Sequence, residues 1–273
     1  MEKNNNELAV LVVLYGCELD ESTTLRSLAN LSSLLSNVRI IVWNNGPVYL
    51  SEHAIASYKN NIDFELVQTV GNISLAKIYN DFIKMIEVEN YIIFDHDTNV
   101  NAAYITAAKS FHGFVAVPKI YSNGMLHSPR VCHNPFFLGK EITAVGSGLV
   151  ISKKTIMLLL NKYGCVFDER FILYGVDTTL FYRLAKIIDL ERELVVLPEI
   201  IHSLSSNVIE SQVVNEFRLK EKSYDFGLRV RFYPSCDKFL LLFILMVKSI
   251  VKRSPIKISY IFEAILKGKH YRK

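Results

Sequence analysis

The sequence predicts an α/β fold in which a mostly parallel central sheet is flanked by helices. Three observations lead to this prediction. Apolar runs of strand length alternate with amphipathic segments of helix length through the first hundred residues. The connections between them are short, and no internal repeat or low-complexity linker interrupts the pattern. Such alternation is typical of right-handed βαβ units, whose parallel strands are covered by helices on both faces.

Each element of the first half has a local signal. Leu8 to Leu14 are all apolar, as expected of a strand that is buried on both faces. Helices are predicted where Ser, Thr or Asp precedes apolar residues at helical spacing, because these side chains cap the first turn. The predicted elements are a strand at 8–14, a helix beginning at 20–23, a strand at 38–43, a helix at 54–58, a strand at 64–67, a helix capped by Ser74 and a strand at 91–94.

The second half is less regular. The predicted elements are helices at 102–109, 152–160 and 177–188 and strands at 114–117, 149–151 and 194–197. Residues 120–140 hold Gly, Pro and Asn together with His127, Arg130 and His133, but they show no periodicity. This pattern predicts a loop of some twenty residues, and a loop of that length in a compact domain is more often functional than accidental. We expect the loop to shape a cleft, whereas His127, Arg130 and His133 themselves are more often loop surface than site residues.

Composition and charge exclude several classes of protein. Half of the 273 residues are hydrophobic and 21% are charged, which allows a full core and leaves little room for disorder. A net charge of +4 is too small to indicate nucleic-acid binding. Cys17, Cys132, Cys165 and Cys236 form no C-x-x-C pair, which excludes a zinc ribbon, gives no disulfide framework and favours a reducing cytosol. The polar first residues predict no signal peptide.

Two carboxylates follow the predicted strand at 91–94 directly. Side chains repeat with a period of two in extended backbone, so Asp95 and Asp97 project to the same side. In open α/β sheets, ligands bind at this end of the strands. Two acids there make an oxygen site that suits Mg²⁺ or Mn²⁺ carrying a diphosphate. The alternative is a polar turn that closes the strand, because Asp and Thr are ordinary turn residues.

Several segments, taken in order, resemble the inverting family 2 glycosyltransferases with the GT-A fold, and within that family the rhamnosyltransferase-like branch of bacterial surface polysaccharide assembly. The resemblance covers about residues 8–205. The matching segments are 38–47 with its Asn-Asn-Gly end, 71–80 as a glycine-led helix start, 94–98 as the D-x-D motif, Ser147-Gly148, 167–171, Asp177 with Arg183, and His202 as a late metal-site histidine.

The resemblance implies a role for each matching residue. Asp177 would be the general base, while Asp97 and His202 would hold Mg²⁺ or Mn²⁺. Binding of the donor nucleotide sugar is implied for Leu14, Tyr15, Asn44, Asn72, Lys77, Asn80, Asp95, His96 and Asp97. The acceptor or sugar region would include Gly146, Ser147, Gly148 and Arg183.

Some of these residues also have simpler explanations. Asp177 could be a helix N-cap with Arg183 as a surface partner, and His202 could be a hydrogen-bonded loop histidine. Lys77 and Asn80 could belong to a solvated helix face. Two positions depart from the family pattern, because Asn44 replaces the usual Asp and Val176 replaces an acid that commonly precedes the base.

The resemblance implies that a sugar, rhamnose or another hexose, is moved from a dTDP- or UDP-linked donor to a glycan or polyprenyl-diphosphate-linked acceptor in O-antigen, capsule or exopolysaccharide synthesis. Two alternatives stay open. One is a Mg²⁺-dependent phosphohydrolase of the HAD type, whose D-x-D-x-[TV] signature fits residues 95–98, although about ninety residues of βα structure come first. The other is a non-catalytic, membrane-docked scaffold with the same fold.

The last third of the sequence predicts a basic and apolar helical extension, at 211–273, after a GT-A domain at 1–210. Residues 239–247 are all apolar, and Lys248, Lys252, Arg253 and Lys257 follow. Nine residues of helix span about 14 Å, half of a bilayer core, so this run does not predict a transmembrane helix. It predicts an interfacial helix on an anionic inner leaflet. Together with the resemblance, this implies a cytoplasmic protein held peripherally on the inner face of the bacterial cell membrane. A helix buried against the sheet is the alternative.

Overall fold

The computed structural model describes residues 8–122, 124–133, 140–203, 212–250 and 257–273. Its strands are β1 (Leu8–Leu14), β2 (Val38–Asn44), β3 (Glu65–Gln68), β4 (Asn90–Asp95), β5 (Thr98–Asn99), β6 (Val115–Ser122), β7 (Met125–Ser128), β8 (Arg130–His133), β9 (Lys140–Thr143), β10 (Leu149–Ser152) and β11 (Leu194–His202). Its α-helices are α1 (Thr23–Asn30), α2 (Glu52–Tyr58), α3 (Leu75–Met85), α4 (Ala102–Lys109), α5 (Lys153–Tyr163), α6 (Val176–Leu184), α7 (Leu190–Glu193), α8 (Gln212–Phe232), α9 (Cys236–Ile250) and α10 (Ile258–Lys267).

In the described part of the chain, one sheet has the strand order β3-β2-β1-β4-β10-β6-β11-β5, with β7 paired to β6. The strands β1 to β4 are parallel to one another, and β11 is parallel to β6. Between these two groups lies β10, which is antiparallel to both β4 and β6. The predicted α/β fold with a mostly parallel sheet and flanking helices is confirmed.

The continuous apolar run of β1 is explained by two cores, one on each face of the sheet. Alternate residues such as Leu11 pack in the core that includes α3, α5 and α6. The residues between them, such as Val12, pack in the core that includes α1 and α4. Because side chains alternate along a strand, a strand covered on both faces needs apolar residues at every position.

Side-chain caps fix where the helices of the first half begin. The hydroxyl of Ser22 accepts a hydrogen bond from Leu25 N at the start of α1, and Ser74 accepts one from Lys77 N at the start of α3. Each cap satisfies a backbone donor that has no partner inside the helix. The predicted caps of α1, α3 and α5 are confirmed.

The predicted loop at 120–140 is wrong in its described part. Strand β6 continues to Ser122, β7 pairs back onto it, and β8 pairs with β9 in a separate two-stranded ribbon. Residues 134–139 of this prediction lie outside the described residues. The strands there expose large apolar side chains, including Met125 and Val131, and bury few. Without a buried face there is no hydrophobic alternation, so periodicity gives no signal.

Two helices of the last third pack against the main core. Tyr224 and Leu228 of α8 and Ala264 of α10 belong to the same core as β1 and α6. The predicted boundary between residues 210 and 211 lies outside the described residues. Among the described helices, none is both long enough and apolar enough to cross a membrane.

Candidate active site

A cavity of about 630 Å³ lies at the carboxyl ends of β1, β2 and β4. We call it the candidate active-site cavity. The residues predicted from the sequence that line it are Tyr15, Asn72, Asp95, His96, Asp97, Gly146, Asp177 and His202. It also takes in residues from the predicted loop and the last third of the chain, which are His127, Arg130, Phe217, Asp225 and Arg272.

Asp95, Asp97 and His202 form a cluster in which each residue offers one ligand atom within 4.8 Å of the others. His202 Nε2 lies 3.9 Å from Asp95 Oδ2, and His202 Nδ1 lies 3.3 Å from Asp97 Oδ1. Asp95 is the last residue of β4, and Asp97 lies in the turn between β4 and β5. The predicted D-x-D pair therefore faces one site.

His202 reaches this cluster because β11 is longer than the sequence predicted. The strand continues to His202, which pairs with Thr98 of β5 in antiparallel register. Thr98 Oγ1 lies 2.9 Å from His202 Nδ1 and 2.6 Å from Ser147 Oγ, which in turn accepts a hydrogen bond from Asp95 N. This chain of polar groups orients both Asp95 and His202. Ser147 therefore does not line the cavity but holds the cluster in place through its hydrogen bonds with Asp95 N and Thr98 Oγ1.

The donor set of the cluster suits a divalent cation. Asp97 Oδ1 is buried and accepts no hydrogen bond from any residue that the structure describes. A buried carboxylate oxygen without a partner is costly unless a cation binds it. Two carboxylates with one imidazole are ligands that Mn²⁺ and Mg²⁺ accept, imidazole favouring the transition metal. Burial raises the pKa of Asp95, and the nearby His202 opposes that shift.

Asp177 is the second residue of α6, and Gly175 is the N-cap. The side chain of Asp177 is half-buried, and its Oδ1 accepts a hydrogen bond from Thr178 N at 2.7 Å. Burial raises the pKa of its carboxyl group, and the negative charges of Asp225 and Asp95 raise it further. A carboxylate with a raised pKa at a cavity wall is suited to accept a proton.

A second part of the cavity wall is built from the ends of β1 and β2. Asn45 holds the backbone of Ile73 with both ends of its amide, since Nδ2 donates to Ile73 O at 3.0 Å and Oδ1 accepts from Ile73 N at 2.9 Å. From the other side, Arg272 Nη2 donates to Asn72 O. The backbone of Asn72 has a φ of 47°. This segment is thus fixed from two sides, by residues 45 and 272.

Seven predicted site residues do not line the cavity, and each has a structural partner or position. They are Leu14, Asn44, Lys77, Asn80, Ser147, Gly148 and Arg183. The amide of Asn44 donates to Val48 O and Gln68 Oε1, so it closes the turn after β2, and its neighbour Asn45 lines the cavity instead. Leu14 is fully buried in the core.

The two polar residues predicted on α3 point to other partners. Lys77 pairs with Asp81 at 2.8 Å on the exposed side of the helix. Asn80 is buried, donates to Phe167 O and accepts from Phe167 N, so it fastens the 167–171 turn to α3. Gly148 has a φ of 80°, and a Cβ there would lie 2.6 Å from Pro118, so close packing requires glycine.

Arg183, which was predicted near the sugar, is buried and does not line the candidate active-site cavity. Its Nη2 lies 3.2 Å from Asp168 Oδ2, and its other nitrogens donate to the backbone oxygens of Cys165 and Val166 and to Tyr233 Oη. It is a structural residue that joins α6 to the 165–168 segment and to the end of α8. Because Arg183 is buried, it is not the surface partner of Asp177 that the alternative predicted.

We expect Arg183→Met to lower the free energy of unfolding by about 3–5 kcal/mol, because it leaves the buried Asp168 without one of its cations. Urea unfolding followed by circular dichroism measures this loss. Nucleotide binding by the folded fraction should stay at the wild-type level. If the variant is as stable as the wild type but binds no nucleotide, Arg183 takes part in nucleotide binding.

Sequence reasoning missed Asn45, Asp225 and Arg272. Asn45 could have been found, since it adjoins Asn44 at the same strand end. The other two come from the last third of the chain, where the sequence predicted a separate extension. No local pattern marks them, because their place in the cavity depends on how α8 and residues 268–273 pack against the sheet.

Comparison with known proteins finds similarity in structure only. No protein-family model matches the sequence, and no curated protein matches it. The structure is similar to S. aureus TarS, with 15% identity and a TM-score of 0.52 over 83% of this chain and 44% of that one. The structure of S. aureus TarS 1–349 in complex with UDP-GlcNAc matches with 17% identity and a TM-score of 0.51, over 81% of this chain and 66% of that one.

A third similar structure is the mannosyltransferase PcManGT from Pyrobaculum calidifontis in complex with GDP-Man and Mn²⁺. It matches with 12% identity and a TM-score of 0.53, over 85% of this chain and 66% of that one. The chain thus spans less than half of TarS and about two thirds of the mannosyltransferase. At these identities the similarity establishes the fold. The protein has the GT-A-type fold that was predicted from its sequence.

Proposed function

We propose that the protein is an inverting glycosyltransferase that moves a hexose from a nucleoside-diphosphate sugar to a hydroxyl group of a glycan acceptor. The observation that supports this most is that one cavity holds acidic groups at two separate places. One is the cluster of Asp95, Asp97 and His202, whose ligand atoms suit a cation, and the other is the carboxylate of Asp177. Transfer from a diphosphate needs both, one for the leaving group and one for the acceptor proton.

Each residue has a definite task in such a transfer. Asp97 and His202 would hold the divalent cation, which when bound supplies a Lewis acid for the leaving diphosphate. Asp177 accepts the proton of the acceptor hydroxyl. At the same time the oxygen of that hydroxyl attacks the anomeric carbon, and the bond between the anomeric carbon and the diphosphate oxygen breaks. Tyr15, Asn45 and Asn72, at the ends of β1 and β2, border the space for the nucleoside.

A donor screen tests this function. The enzyme is incubated with UDP-, GDP- and dTDP-linked hexoses, with and without Mn²⁺, and release of the nucleoside diphosphate is measured. We expect release from at least one donor, dependent on the metal. From the sequence resemblance we propose a dTDP- or UDP-linked donor, with rhamnose among the candidate sugars, and a surface-polysaccharide acceptor. The GDP-Man and UDP-GlcNAc bound by the structural neighbours support a nucleotide sugar as the donor class.

The two alternative functions make different forecasts. A phosphohydrolase of the HAD type would release phosphate from simple phosphate esters, and the GT-A-type fold gives no support to it. A non-catalytic scaffold would bind a nucleotide sugar without turning it over. Wild-type protein that binds UDP-GlcNAc and Mn²⁺ yet releases no nucleotide from any donor, even with glycan acceptors present, would favour the scaffold.

We further propose that α9 binds the inner face of the bacterial cell membrane and that the acceptor is linked to a polyprenyl diphosphate. The helix exposes seven large apolar side chains, which are Phe239, Leu240, Leu241, Phe243, Ile244, Met246 and Val247. Its other side packs on the small core around Phe226 and Ile261 through Leu242 and Leu245. Exposed Lys248 and Lys257 lie beyond the apolar run, whereas Lys252 and Arg253 are outside the described residues. An apolar face flanked by lysines suits an anionic lipid surface.

Replacing Phe239, Phe243 and Val247 with Ser tests membrane binding. These side chains lie four residues apart on one face and are 52%, 63% and 46% exposed, so the changes remove apolar surface without opening the core. Burial in lipid contributes roughly 1.5–3 kcal/mol for each large apolar side chain. We therefore expect vesicle binding to fall more than tenfold in co-sedimentation with vesicles of phosphatidylglycerol.

A matched control replaces Val48, Met125 and Met157 with Ser, since these residues are 64%, 65% and 51% exposed but lie on other elements. This control should bind vesicles as the wild type does. High salt should release the wild type only in part, because apolar burial is not screened. Wild-type protein that fails to co-sediment with anionic vesicles would refute the membrane proposal.

A further inference from the structure

A fourth carboxylate, Asp225 on α8, also lines the candidate active-site cavity. Its side chain is 9% exposed, and both of its oxygens accept hydrogen bonds from Arg229, Oδ1 from Nε at 3.0 Å and Oδ2 from Nη2 at 2.7 Å. A buried ion pair is weak evidence of stabilisation, because apolar residues of similar volume often serve as well. Its position at the cavity therefore points to a role in the site.

Asp225 lies directly against the turn that begins α6. A Cβ on Gly175 would be 2.0 Å from Asp225 Oδ1, so only glycine leaves room for the carboxylate there. Gly175 has a φ of 79°, which glycine adopts without strain, and it is the N-cap of the helix that carries Asp177. The approach of α8 to the turn before Asp177 thus depends on two features, the missing side chain at 175 and the carboxylate at 225.

We propose that Asp225 is a positioning residue for Asp177: its carboxylate, held by Arg229 against the first turn of α6, sets the protonation and the orientation of the candidate base. This inference rests on the proposed function of the cavity. It assigns to α8, an element that the sequence places outside the glycosyltransferase domain, a part in the chemistry of that domain.

The charges around Asp177 support this role. The groups that face it are Asp95 from β4, the buried phenol of Tyr79 from α3 and Asp225 with its partner Arg229 from α8. After burial, the charge of Asp225 is the largest cause that raises the pKa of Asp177, while the N–H groups of Thr178 and Gly146 oppose the shift. A neighbouring negative charge disfavours the ionised form of a carboxyl group, so the charge of Asp225 favours protonation of Asp177.

Because the charge of Asp225 raises the pKa of Asp177, removing this charge should change the pH dependence of the rate. A base works only when it is deprotonated, so the rate falls as the pH is lowered through its pKa. Removing the charge of Asp225 lowers the pKa of Asp177, because that negative charge raises the pKa in the wild type. In Asp225→Asn the acid limb of kcat against pH should therefore move to lower pH. The weaker base should also lower kcat on the plateau about tenfold, with the donor KM unchanged.

Asp168→Asn is the matched control. Asp168 is also a buried carboxylate that pairs with arginines, with Arg170 Nη2 at 2.6 Å and Arg183 Nη2 at 3.2 Å, but it does not line the cavity. This variant should be less stable than the wild type and keep its acid limb in place. If Asp225→Asn does not fold, the double variant Asp225→Asn with Arg229→Gln keeps a neutral hydrogen-bonded pair, and its acid limb should move in the same direction.

The coupling can also be measured without turnover. Carbon-13 NMR of the aspartate carboxyl groups gives the titration of Asp177, whose signal is assigned by its loss in Asp177→Asn. We expect this titration to move to lower pH in Asp225→Asn and to stay in place in Asp168→Asn. If the titration moves but the wild type transfers no sugar, the proposed function fails and the coupling stands. If the enzyme transfers sugar and neither the titration nor the acid limb moves, the role of Asp225 is overturned.

Discussion

Asp97→Asn is expected to lower sugar transfer at least a hundredfold, on the order of the loss seen when a charge-stabilising group is removed from an active site. The wild-type carboxylate has a buried oxygen, Oδ1, that accepts no hydrogen bond from the described residues. In the variant an amide takes its place, which keeps the shape but removes the anionic ligand. The same loss should follow in the wild type when EDTA is added in excess.

Metal binding gives a readout that does not depend on catalysis. Mn²⁺ titration followed by electron paramagnetic resonance should show weaker binding in Asp97→Asn and also in His202→Ala, since both residues belong to the cluster. The control is Asp63→Asn, a change of the same chemistry at an exposed carboxylate far from the cluster in sequence. Full activity of the wild type in EDTA, or of the Asn variant in Mn²⁺, would rule out the metal role of Asp97.

The part of the fold that the sequence predicted well is the part where both faces of the sheet are buried. Strand β1 was predicted with the bounds that the structure has, because each of its residues lies in one of two cores and must be apolar. The ribbons between β6 and β9 were missed, because they bury little and so carry no alternation. Strand β11 was predicted too short for the same reason, as Glu199 and Ile201 are exposed.

The residues of the candidate site also differ in how well the sequence predicts them, because only some of them are marked by a short-range pattern. Asp95 and Asp97 could be placed together because they lie one residue apart at the end of a predicted strand. The positions of His202 and Asp177 in the cavity rested on resemblance, since no spacing rule connects them with residue 95. Asp225 and Arg272 could not be found at all, because they reach the cavity through the packing of α8 and the segment after α10, which no short-range pattern encodes.

Asp177→Asn should have the largest effect on turnover of any single change considered. The amide keeps the size of the side chain, and its oxygen can still accept the hydrogen bond from Thr178 N, so α6 should start as before. It cannot accept the proton of the acceptor hydroxyl. We expect transfer to fall by two to four orders of magnitude, roughly the contribution of general-base catalysis. Donor affinity, measured by calorimetry with a nucleoside diphosphate and Mn²⁺, should be retained.

The control separates a catalytic role from a capping role at a helix start. Asp189 also stands at a helix N-terminus, where its Oδ1 accepts from Glu191 N, but it lies outside the candidate active-site cavity. Asp189→Asn should therefore transfer sugar at the wild-type rate. A collapse of donor affinity together with turnover in Asp177→Asn would instead make Asp177 a binding residue.

The pH profile supplies the last test of Asp177. Burial and the charges of Asp225 and Asp95 raise the pKa of its carboxyl group, so the wild-type rate should fall on acidification at a higher pH than an ordinary aspartate would give. The remaining activity of Asp177→Asn comes from the other groups of the cavity and needs no proton acceptor at this position. Its rate should therefore lose that acid limb, and an acid limb that survives unchanged in the variant would show that another group is the base.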